Sequence, residues 1–268
     1  MQIKDHWLQG DNISRQNTPN IGGDLKPRFL IYHFTAGSSL ESSVEHLCSP
    51  DAKASAHLLL GRDGRIVQLA PFNRVTWHAG VSAWQGLSGL NQYSIGIEMD
   101  NAGQLKQVGD HYTAWFGGNY PPDQVVMAAH KNGGGVVPWQ VYTDIQIQRA
   151  LELGKLLVQS YGLQDVLGHD DIAPGRKTDP GPAFPLASIR SRIFGREADQ
   201  PQLFRVIADD GLNIRSGPGP EYPPVAPMLR KGTQVELLQA GDRWSKVEVV
   251  GSTDVEGWVN QRYLQAVG

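Results

Sequence analysis

The stretch RFLIYHFT, from Arg28 to Thr35, contains the first strong strand pattern in the chain. Its apolar residues form a continuous run, which is typical of a strand buried on both faces. Such strands belong to sheets covered by helices, so the stretch predicts an α/β fold. His33 lies near the carboxyl end of this strand, where side chains of helix-covered sheets project into ligand clefts. A core histidine satisfied by a hydrogen bond is the alternative interpretation of His33.

Neighbouring segments extend this strand into a mixed sheet. Residues 56–60 and 65–70 flank the pair Asp63-Gly64, the strongest short pattern for a β-hairpin. SIGIEMDN, residues 94–101, predicts a further central strand, and residues 143–161 predict a capped helix that Gly162 ends. Shorter helices are expected at 41–47 and 188–194. The expected fold class is α/β, with a mixed central β-sheet flanked by helices.

The stretch GHDDIAPGRKTDPG, from Gly168 to Gly181, crowds potential metal ligands and a lysine into one segment. Its prolines and glycines argue against a regular element, so the segment should wrap back and turn His169 and Asp179 inward. A hydrolytic zinc site usually has three His or carboxylate ligands and an open position for water. His33 is the best candidate for the third ligand. A surface turn whose His and Asp meet solvent is the alternative.

Glu98 stands in the middle of the otherwise apolar strand predicted at residues 94–101. Burying an uncompensated carboxylate is costly, so Glu98 must be paired, lie close to a cation or metal, or have a raised pKa. The last two conditions are those that a general base requires.

Other aromatic and histidine side chains are weaker candidates. The loop TWHAGVSAWQGLSG, residues 76–89, places Trp77, His78 and Trp84 among small residues. This composition favours a wall that faces carbohydrate or peptide, and a tryptophan that anchors the loop is the alternative. His57, in the first hairpin strand, is interpreted as structural or as a neighbour of a ligand.

Residues 104–141 are rich in Gly, Pro and aromatic residues and have weak periodicity. They predict a long, partly irregular connection along one wall of the cleft. His111 and His130 lie in this segment and are interpreted as surface histidines.

A second domain is expected after a polar linker. The catalytic domain is assigned to residues 1–194, the linker to 195–202 and a small all-β barrel to 203–268, where short strands alternate with Gly and Pro turns. The barrel contains no histidine, so it is expected to bind a ligand and not to react with it.

Composition excludes several classes of protein. The 268 residues carry a formal net charge of −3, which argues against nucleic acid as the main partner. Cys48 is the single cysteine, so no intrachain disulfide framework exists. No segment reaches membrane-spanning length, and residues 1–17 do not resemble a secretory signal. Cytoplasmic synthesis is therefore expected, with delivery to periplasm or cell wall through lysis or dedicated secretion. Oligomeric state is left open.

Several motifs together resemble the zinc-dependent N-acetylmuramoyl-L-alanine amidases of the type 2 amidase family, which is related to the peptidoglycan recognition proteins. The resemblance covers about residues 15 to 190 and rests on five blocks: YHFTAG at 32–37, SAHLLLGRDGRIVQL at 55–69, WHAG at 77–80, SIGIEMDN at 94–101 and GHDDIAPGRKTDPGPAF at 168–184. GLNIRSGPG at 211–219 and EGWVNQRYL at 256–264 resemble a bacterial SH3-type domain, a module often joined to wall hydrolases.

The resemblance implies roles for individual residues. It implies Zn²⁺ held by His33, His169 and Asp179, with Glu98 acting on the catalytic water and Lys177 near the developing oxyanion. Contacts with peptidoglycan or muropeptides are expected from the side chains of His57, Trp77, His78, Trp84 and Asn101.

The implied reaction is hydrolysis of the amide between N-acetylmuramic acid and L-alanine. A non-catalytic peptidoglycan-binding protein and a cytosolic amidase that recycles anhydro-muropeptides are the alternatives. The open metal position and Glu98 favour an enzyme over a binding protein.

Overall fold

A computed structural model describes residues 1–194, 203–239, 243–250 and 255–267. The linker expected at 195–202 lies entirely outside the described residues. Contacts divide the chain into two compact units, Met1–Ile193 and Phe194–Gly268. Each unit is described by itself.

The first unit is built from short strands and four described helices. The strands are β1 (Gln2–Lys4), β2 (Trp7–Gln9), β3 (Ile13–Arg15), β4 (Ile21–Asp24), β5 (Phe29–Phe34), β6 (Leu58–Leu60), β7 (Ile66–Gln68), β8 (Arg74–Thr76), β9 (Ala83–Trp84), β10 (Leu87–Ser88), β11 (Ser94–Met99), β12 (Lys106–Val108), β13 (His111–Ala114), β14 (Gly117–Tyr120), β15 (Val125–Ala129), β16 (Val136–Gln140) and β17 (Asp165–Gly168). The helices are α1 (Leu40–Cys48), α2 (Asp144–Tyr161), α3 (His169–Ile172) and α4 (Leu186–Phe194).

The central sheet has the strand order β17-β5-β11-β6-β7-β3 among the described strands. Strand β5 runs parallel to both of its neighbours, β11 and β17, whereas β6 and β7 form an antiparallel hairpin. The predicted mixed sheet is therefore confirmed. Gly64 has a φ of 83° in the turn between β6 and β7, a conformation that glycine adopts without strain.

Strand register places the candidate residues in one row. His33 on β5 pairs with Glu98 on β11, and Tyr32 on β5 pairs with Gly168 at the end of β17. The residue after Gly168 is His169, which therefore follows the strand beside His33. Because side chains alternate between the faces of a sheet, His33 and Glu98 project from the same face.

Helix α2 covers the opposite face. Thr143 and Gln146 form the predicted capping box, and Gly162 ends the helix with a φ of 62°. The hydroxyl of Tyr32 donates a hydrogen bond to the carbonyl of Ala150 at 2.6 Å, which holds α2 against β5. On the site face, α1 packs on Leu59. Helices thus flank the sheet, as the sequence predicts.

Residues 104–141 differ from the expected irregular connection. Strands β12, β13 and β14 form one antiparallel sheet, and β15 and β16 form a hairpin. These strands span only three to five residues each, too few for a clear alternation of apolar and polar residues. Tight turns at Gly109 and Gly117, whose φ values are 60° and 94°, connect them.

Two further differences lie near the candidate ligands. The segment 168–181 was expected to contain no regular element, but it opens with the single-turn helix α3. Residues 166 and 167, which precede that loop and for which no strand is predicted, belong to strand β17 of the central sheet. Four residues are too few to separate a strand from a loop by periodicity.

The second unit contains the strands β18 (Leu203–Val206), β19 (Gln234–Gln239), β20 (Trp244–Val249), β21 (Glu256–Asn260) and β22 (Leu264–Ala266). They form an antiparallel sheet in the order β21-β20-β19-β18-β22. Its apolar core consists of Val206, Leu212, Ile214, Leu229, Val235, Val247 and Val259. The all-β prediction is confirmed for the described part of this unit. No described helix in either unit is long and apolar enough to span a membrane.

Candidate metal centre

Three side chains meet at the carboxyl ends of β5 and β17. His33 Nδ1, His169 Nδ1 and Asp179 Oδ2 form a triangle in which each pair of atoms is 2.9 Å apart. All three residues are buried. The structure therefore brings together the three ligands that the sequence predicted.

A backbone hydrogen bond joins the two segments of the loop that carry the candidate ligands His169 and Asp179. The amide of Asp170 donates to the carbonyl of Asp179 at 2.8 Å. Further along the loop, the Ala173 amide donates to the His169 carbonyl at 3.0 Å. The Lys177 amide donates to the Ala173 carbonyl, also at 3.0 Å. Two residues that are ten positions apart in the sequence are thus held at one point in space.

Side chains between strands β15 and β16 contact this loop. His130 Nε2 lies 3.0 Å from Asp170 Oδ2, and Lys131 Nζ lies 2.8 Å from Asp170 Oδ1. Asn132 donates to the carbonyl of Asp170 at 2.8 Å. The His130 side chain is only 8% exposed, so its interpretation as a surface histidine is wrong. Its partner is 40 residues away in the sequence, which local pattern could not show.

The ionisation states suit a cation. Burial and the neighbouring His169, against the opposing effect of Asp179, together lower the pKa of His33 to about 4. Burial alone would raise the pKa of Asp179, but contacts with His169 and His33 outweigh it and hold this pKa below the usual range. At neutral pH the triangle is therefore a neutral His33 imidazole beside a carboxylate.

The hydrogen bonds of His169 assign a donor role to its outward nitrogen. Arg176 Nη2 uses its two hydrogens on the carbonyls of Ala79 and Val81, at 2.9 and 2.6 Å. His169 Nε2 lies 3.0 Å from the Ala79 carbonyl, which can only accept, so Nε2 carries a proton. His169 Nδ1, the inward nitrogen, faces Asp179 Oδ2 at 2.9 Å. Two imidazole nitrogens and a carboxylate oxygen at mutual 2.9 Å are a donor set that fits Zn²⁺.

Glu98 lies beside this triangle. Its Oε1 is 4.0 Å from His33 Nδ1, and its Oε2 is buried without a hydrogen-bond partner among the described residues. Burial raises the pKa of Glu98 well above its usual range, Asp179 raises it further and Lys177 partly opposes both. The group therefore keeps its proton to a higher pH than an exposed glutamate does.

Lys177 is half-buried in the loop between the ligands. Its positive charge repels the protonated form of His33 and attracts the ionised form of Glu98. It therefore lowers the pKa values of both groups. The structure thus supplies a positive charge near the site.

Two other predicted histidines lie behind the ligands. His78 Nδ1 is 2.9 Å from His33 Nε2, and His78 is 7% exposed. His57 is fully buried, and its nitrogens contact the Arg74 carbonyl at 2.9 Å and the Thr76 hydroxyl at 3.0 Å. These contacts are all internal to the protein.

The remaining predicted contacts are spread out. Trp77 is 38% exposed, whereas Trp84 packs on the core formed by Phe29, Ile31, Ala79, Leu90, Leu167 and Ile172. Asn101 is buried and donates to the carbonyls of Gln140 and Val141 at 3.2 and 3.4 Å. Of the three, Trp77 has the most solvent-accessible surface, and its contact with substrate stays a prediction.

Sequence reasoning missed an exposed aromatic residue near the site. Trp115, between β13 and β14, is 80% exposed, and its indole N–H donates to the Ala36 carbonyl at 2.9 Å. Ala36 is three residues beyond His33. The four residues of β13 show no clear alternation, so only the fold shows where the tip of this hairpin lies.

Comparisons with known proteins identify the family of the first unit and of the second. A family model described as N-acetylmuramoyl-L-alanine amidase matches residues 23–182, and one described as bacterial SH3 domain matches residues 210–265. The 1,6-anhydro-N-acetylmuramyl-L-alanine amidase AmpD of Enterobacter cloacae is 36% identical over 217 residues, covering 72% of this chain and 95% of AmpD. The N-acetylmuramoyl-L-alanine amidase AmiD of Escherichia coli K12 is 33% identical over 181 residues, covering 64% of this chain and 55% of AmiD.

A solved structure of E. coli AmiD, in complex with anhydro-N-acetylmuramic acid-L-Ala-D-gamma-Glu-L-Lys, is 29% identical with a TM-score of 0.47. The match covers 69% of this chain and 60% of that one. The chain thus spans little more than half the length of AmiD but nearly all of the Enterobacter AmpD. From the family match over residues 23–182, the chain belongs to the N-acetylmuramoyl-L-alanine amidase family, and a bacterial SH3 domain follows its amidase domain.

Proposed function

We propose that this protein hydrolyses the amide between N-acetylmuramic acid and L-alanine in peptidoglycan or its fragments, with Zn²⁺ held by His33, His169 and Asp179. The observation that carries the proposal is Glu98, a buried carboxyl group with a raised pKa beside a three-ligand site. Among the described residues no fourth ligand joins the group. Structural zinc sites are closed by four protein ligands, whereas hydrolytic sites keep one position for water.

Glu98 and Lys177 have different roles in the proposed hydrolysis. When bound, zinc supplies Lewis-acid chemistry, which polarises a carbonyl and lowers the pKa of water to roughly 7. Glu98 takes the proton of the water that attacks the amide carbon and passes it to the departing nitrogen of L-alanine. A C–O bond forms, the C–N bond breaks, and the proton ends on the leaving amine. Lys177 offsets the negative charge that develops on the carbonyl oxygen.

The substrate class is supported by the relatives and by the surface near the site. The names of the AmpD relatives give 1,6-anhydro-N-acetylmuramyl-L-alanine as what those enzymes cleave. Trp77 and Trp115 offer exposed aromatic faces, which suit the apolar faces of sugar rings. The SH3 unit would hold the enzyme on the polymeric wall, so intact peptidoglycan is included in the proposed substrate class.

Mass spectrometry of reaction products tests the proposal. Purified sacculi and a soluble anhydro-muropeptide are incubated with zinc-loaded protein, chelator-treated protein and the Glu98→Gln variant. Stem peptides with a free L-alanine amine should appear only with the zinc-loaded wild type. Their absence, from protein that binds zinc and is retained on sacculi, would make the chain a wall-binding protein instead.

A further inference from the structure

His78 lies behind His33, on the edge of the imidazole that points away from the three-ligand group. The two rings meet edge to face with centroids 5.0 Å apart. Because His78 is buried, its position favours a role towards His33 and not towards substrate.

Hydrogen bonds around Ser94 fix the proton of His78. The Ser94 hydroxyl donates its hydrogen to the Leu90 carbonyl at 2.5 Å, so its oxygen can only accept from other neighbours. His78 Nε2 lies 3.3 Å from this oxygen and 3.3 Å from the Ser94 carbonyl. Since both oxygens are acceptors, Nε2 of His78 carries the proton. Nδ1 of His78 is then an unprotonated acceptor.

The proton of His33 follows from that of His78. His33 Nε2 lies 2.9 Å from the unprotonated His78 Nδ1, so it must be the donor of this hydrogen bond. A neutral imidazole has one N–H, which leaves His33 Nδ1 with a free lone pair. That atom is the one that faces His169 and Asp179.

The sequence makes room for this arrangement at Gly96. A Cβ atom at position 96 would collide with the His78 ring, lying 2.6 Å from its Nδ1. Gly96 also donates its backbone N–H to His57 Nδ1 at 3.1 Å. The strand that carries Glu98 therefore leaves a gap two residues earlier, and His78 fills it.

We infer that His78 is a positioning residue for the metal: it accepts a hydrogen bond from His33 Nε2 and so holds His33 in the tautomer whose Nδ1 binds Zn²⁺. The inference rests on the proposed function, which supplies the metal. Partners of this kind orient metal-binding histidines in many proteins, and their loss weakens metal affinity about 10- to 100-fold.

Zinc affinity, measured by competition with a chromophoric chelator, tests the inference without a need for activity. His78→Phe keeps a ring of similar shape but removes the acceptor, so its zinc dissociation constant should rise about 10- to 100-fold. His78→Gln offers a carbonyl acceptor to His33 and an amide donor to Ser94, and it should recover most of the affinity. His57→Phe is the control, because His57 is buried and packs edge to face on His78, with ring centroids 6.1 Å apart, but makes no hydrogen bond to any of the three candidate ligands. Its ring is kept in the variant, so the zinc affinity should equal that of the wild type.

Thermal unfolding of the apo variants shows whether each one is folded. If the dissociation constant of folded His78→Phe equals that of the wild type, or if His57→Phe weakens binding as much, His78 has no positioning role. If the wild type itself binds no zinc, the proposed metal site fails and the inference fails with it. The two failures are therefore distinguishable.

Nitrogen-15 NMR of the histidine side chains gives a second readout. In zinc-loaded wild type, His33 should carry its proton on Nε2, and His78 should show an unprotonated, hydrogen-bonded Nδ1. A protonated Nδ1 on His78 would contradict the inference, even if the variants lost affinity for steric reasons.

Discussion

Glu98 occupies an energetically costly place for a carboxyl group. Its Oε2 is buried without a partner among the described residues, and its neighbour Asp179 is negatively charged. Protein stability alone would favour a neutral side chain at this position. Proton transfer requires a carboxyl group at this position, whereas packing does not.

The Glu98→Gln variant separates these two effects. Glutamine keeps the shape but cannot accept and return a proton, so kcat should fall about 100-fold or more while KM changes little. The free energy of unfolding should not fall, because no buried charge has to be accommodated. Steady-state kinetics on a soluble muropeptide and denaturant unfolding measure the two quantities. An unchanged kcat would remove Glu98 from the reaction.

At this scale the sequence predicts residues whose type and strand position are both unusual. A histidine at the end of a buried strand and a glutamate inside another are anomalies that can be seen without coordinates. His130 is different, because nothing near it in the sequence distinguishes it from His111. Only its contact with Asp170 does so, and that contact depends on how a distant hairpin folds.

The β15–β16 hairpin is an element whose role depends on its tip. His130 contacts the buried carboxylate of Asp170, the residue next to the ligand His169. His130→Phe should therefore lower the free energy of unfolding by about 1.5–3 kcal/mol, the range for a hydrogen bond to a charged group. The amide of Asp170, which bonds to Asp179, should exchange its hydrogen faster. His111→Phe, in the exposed strand β13, is the matched control and should change neither quantity.

Helix α2 approaches β5 closely at Gly154. Replacing a helical glycine by alanine usually stabilises a protein by about 1 kcal/mol. Here the added Cβ would meet Ile193 and lie 2.8 Å from the Tyr32 hydroxyl, and overpacking typically costs about 1–3 kcal/mol. The steric effect should win, so Gly154→Ala should lower the midpoint of thermal unfolding. A higher midpoint would mean that the Ile193 side chain moves aside at little cost.

The elements that could be predicted carry local signals, which long helices supply and most short strands do not. The 18 residues of α2 carry a capping box, a helical period and a terminal glycine, and each of these features is local. Strands β12 to β17 have three to five residues each, so they show no decisive period. Their pairing depends on partners elsewhere in the fold.

On the scale of the whole molecule, the two units have separate apolar cores among the described residues. The change in composition after residue 194 predicted a second unit, and the family comparison identifies it as a bacterial SH3 domain. What this unit binds could not be predicted, since its short strands specify a fold and leave the ligand open.

A chain limited to residues 1–194 tests the role of the second unit. Its kcat/KM for a soluble anhydro-muropeptide should equal that of the full chain. Its rate on intact sacculi should fall roughly 10-fold or more at limiting enzyme, because a binding module raises the effective concentration of the enzyme on the polymer. Equal rates on sacculi would show that the SH3 unit does not assist catalysis on the wall.

The hydrogen bond from the Asp170 amide to the Asp179 carbonyl has a consequence for changes in loop length. It keeps His169 and Asp179 close in space although they are ten positions apart in the sequence. Extra residues at the exposed positions Pro174 and Gly175 would break the hydrogen bond from the Lys177 amide to the Ala173 carbonyl, whereas the bond between Asp170 and Asp179 would still hold the two candidate ligands together. A change in the length of this loop is therefore expected to displace Lys177 before it displaces His169 or Asp179.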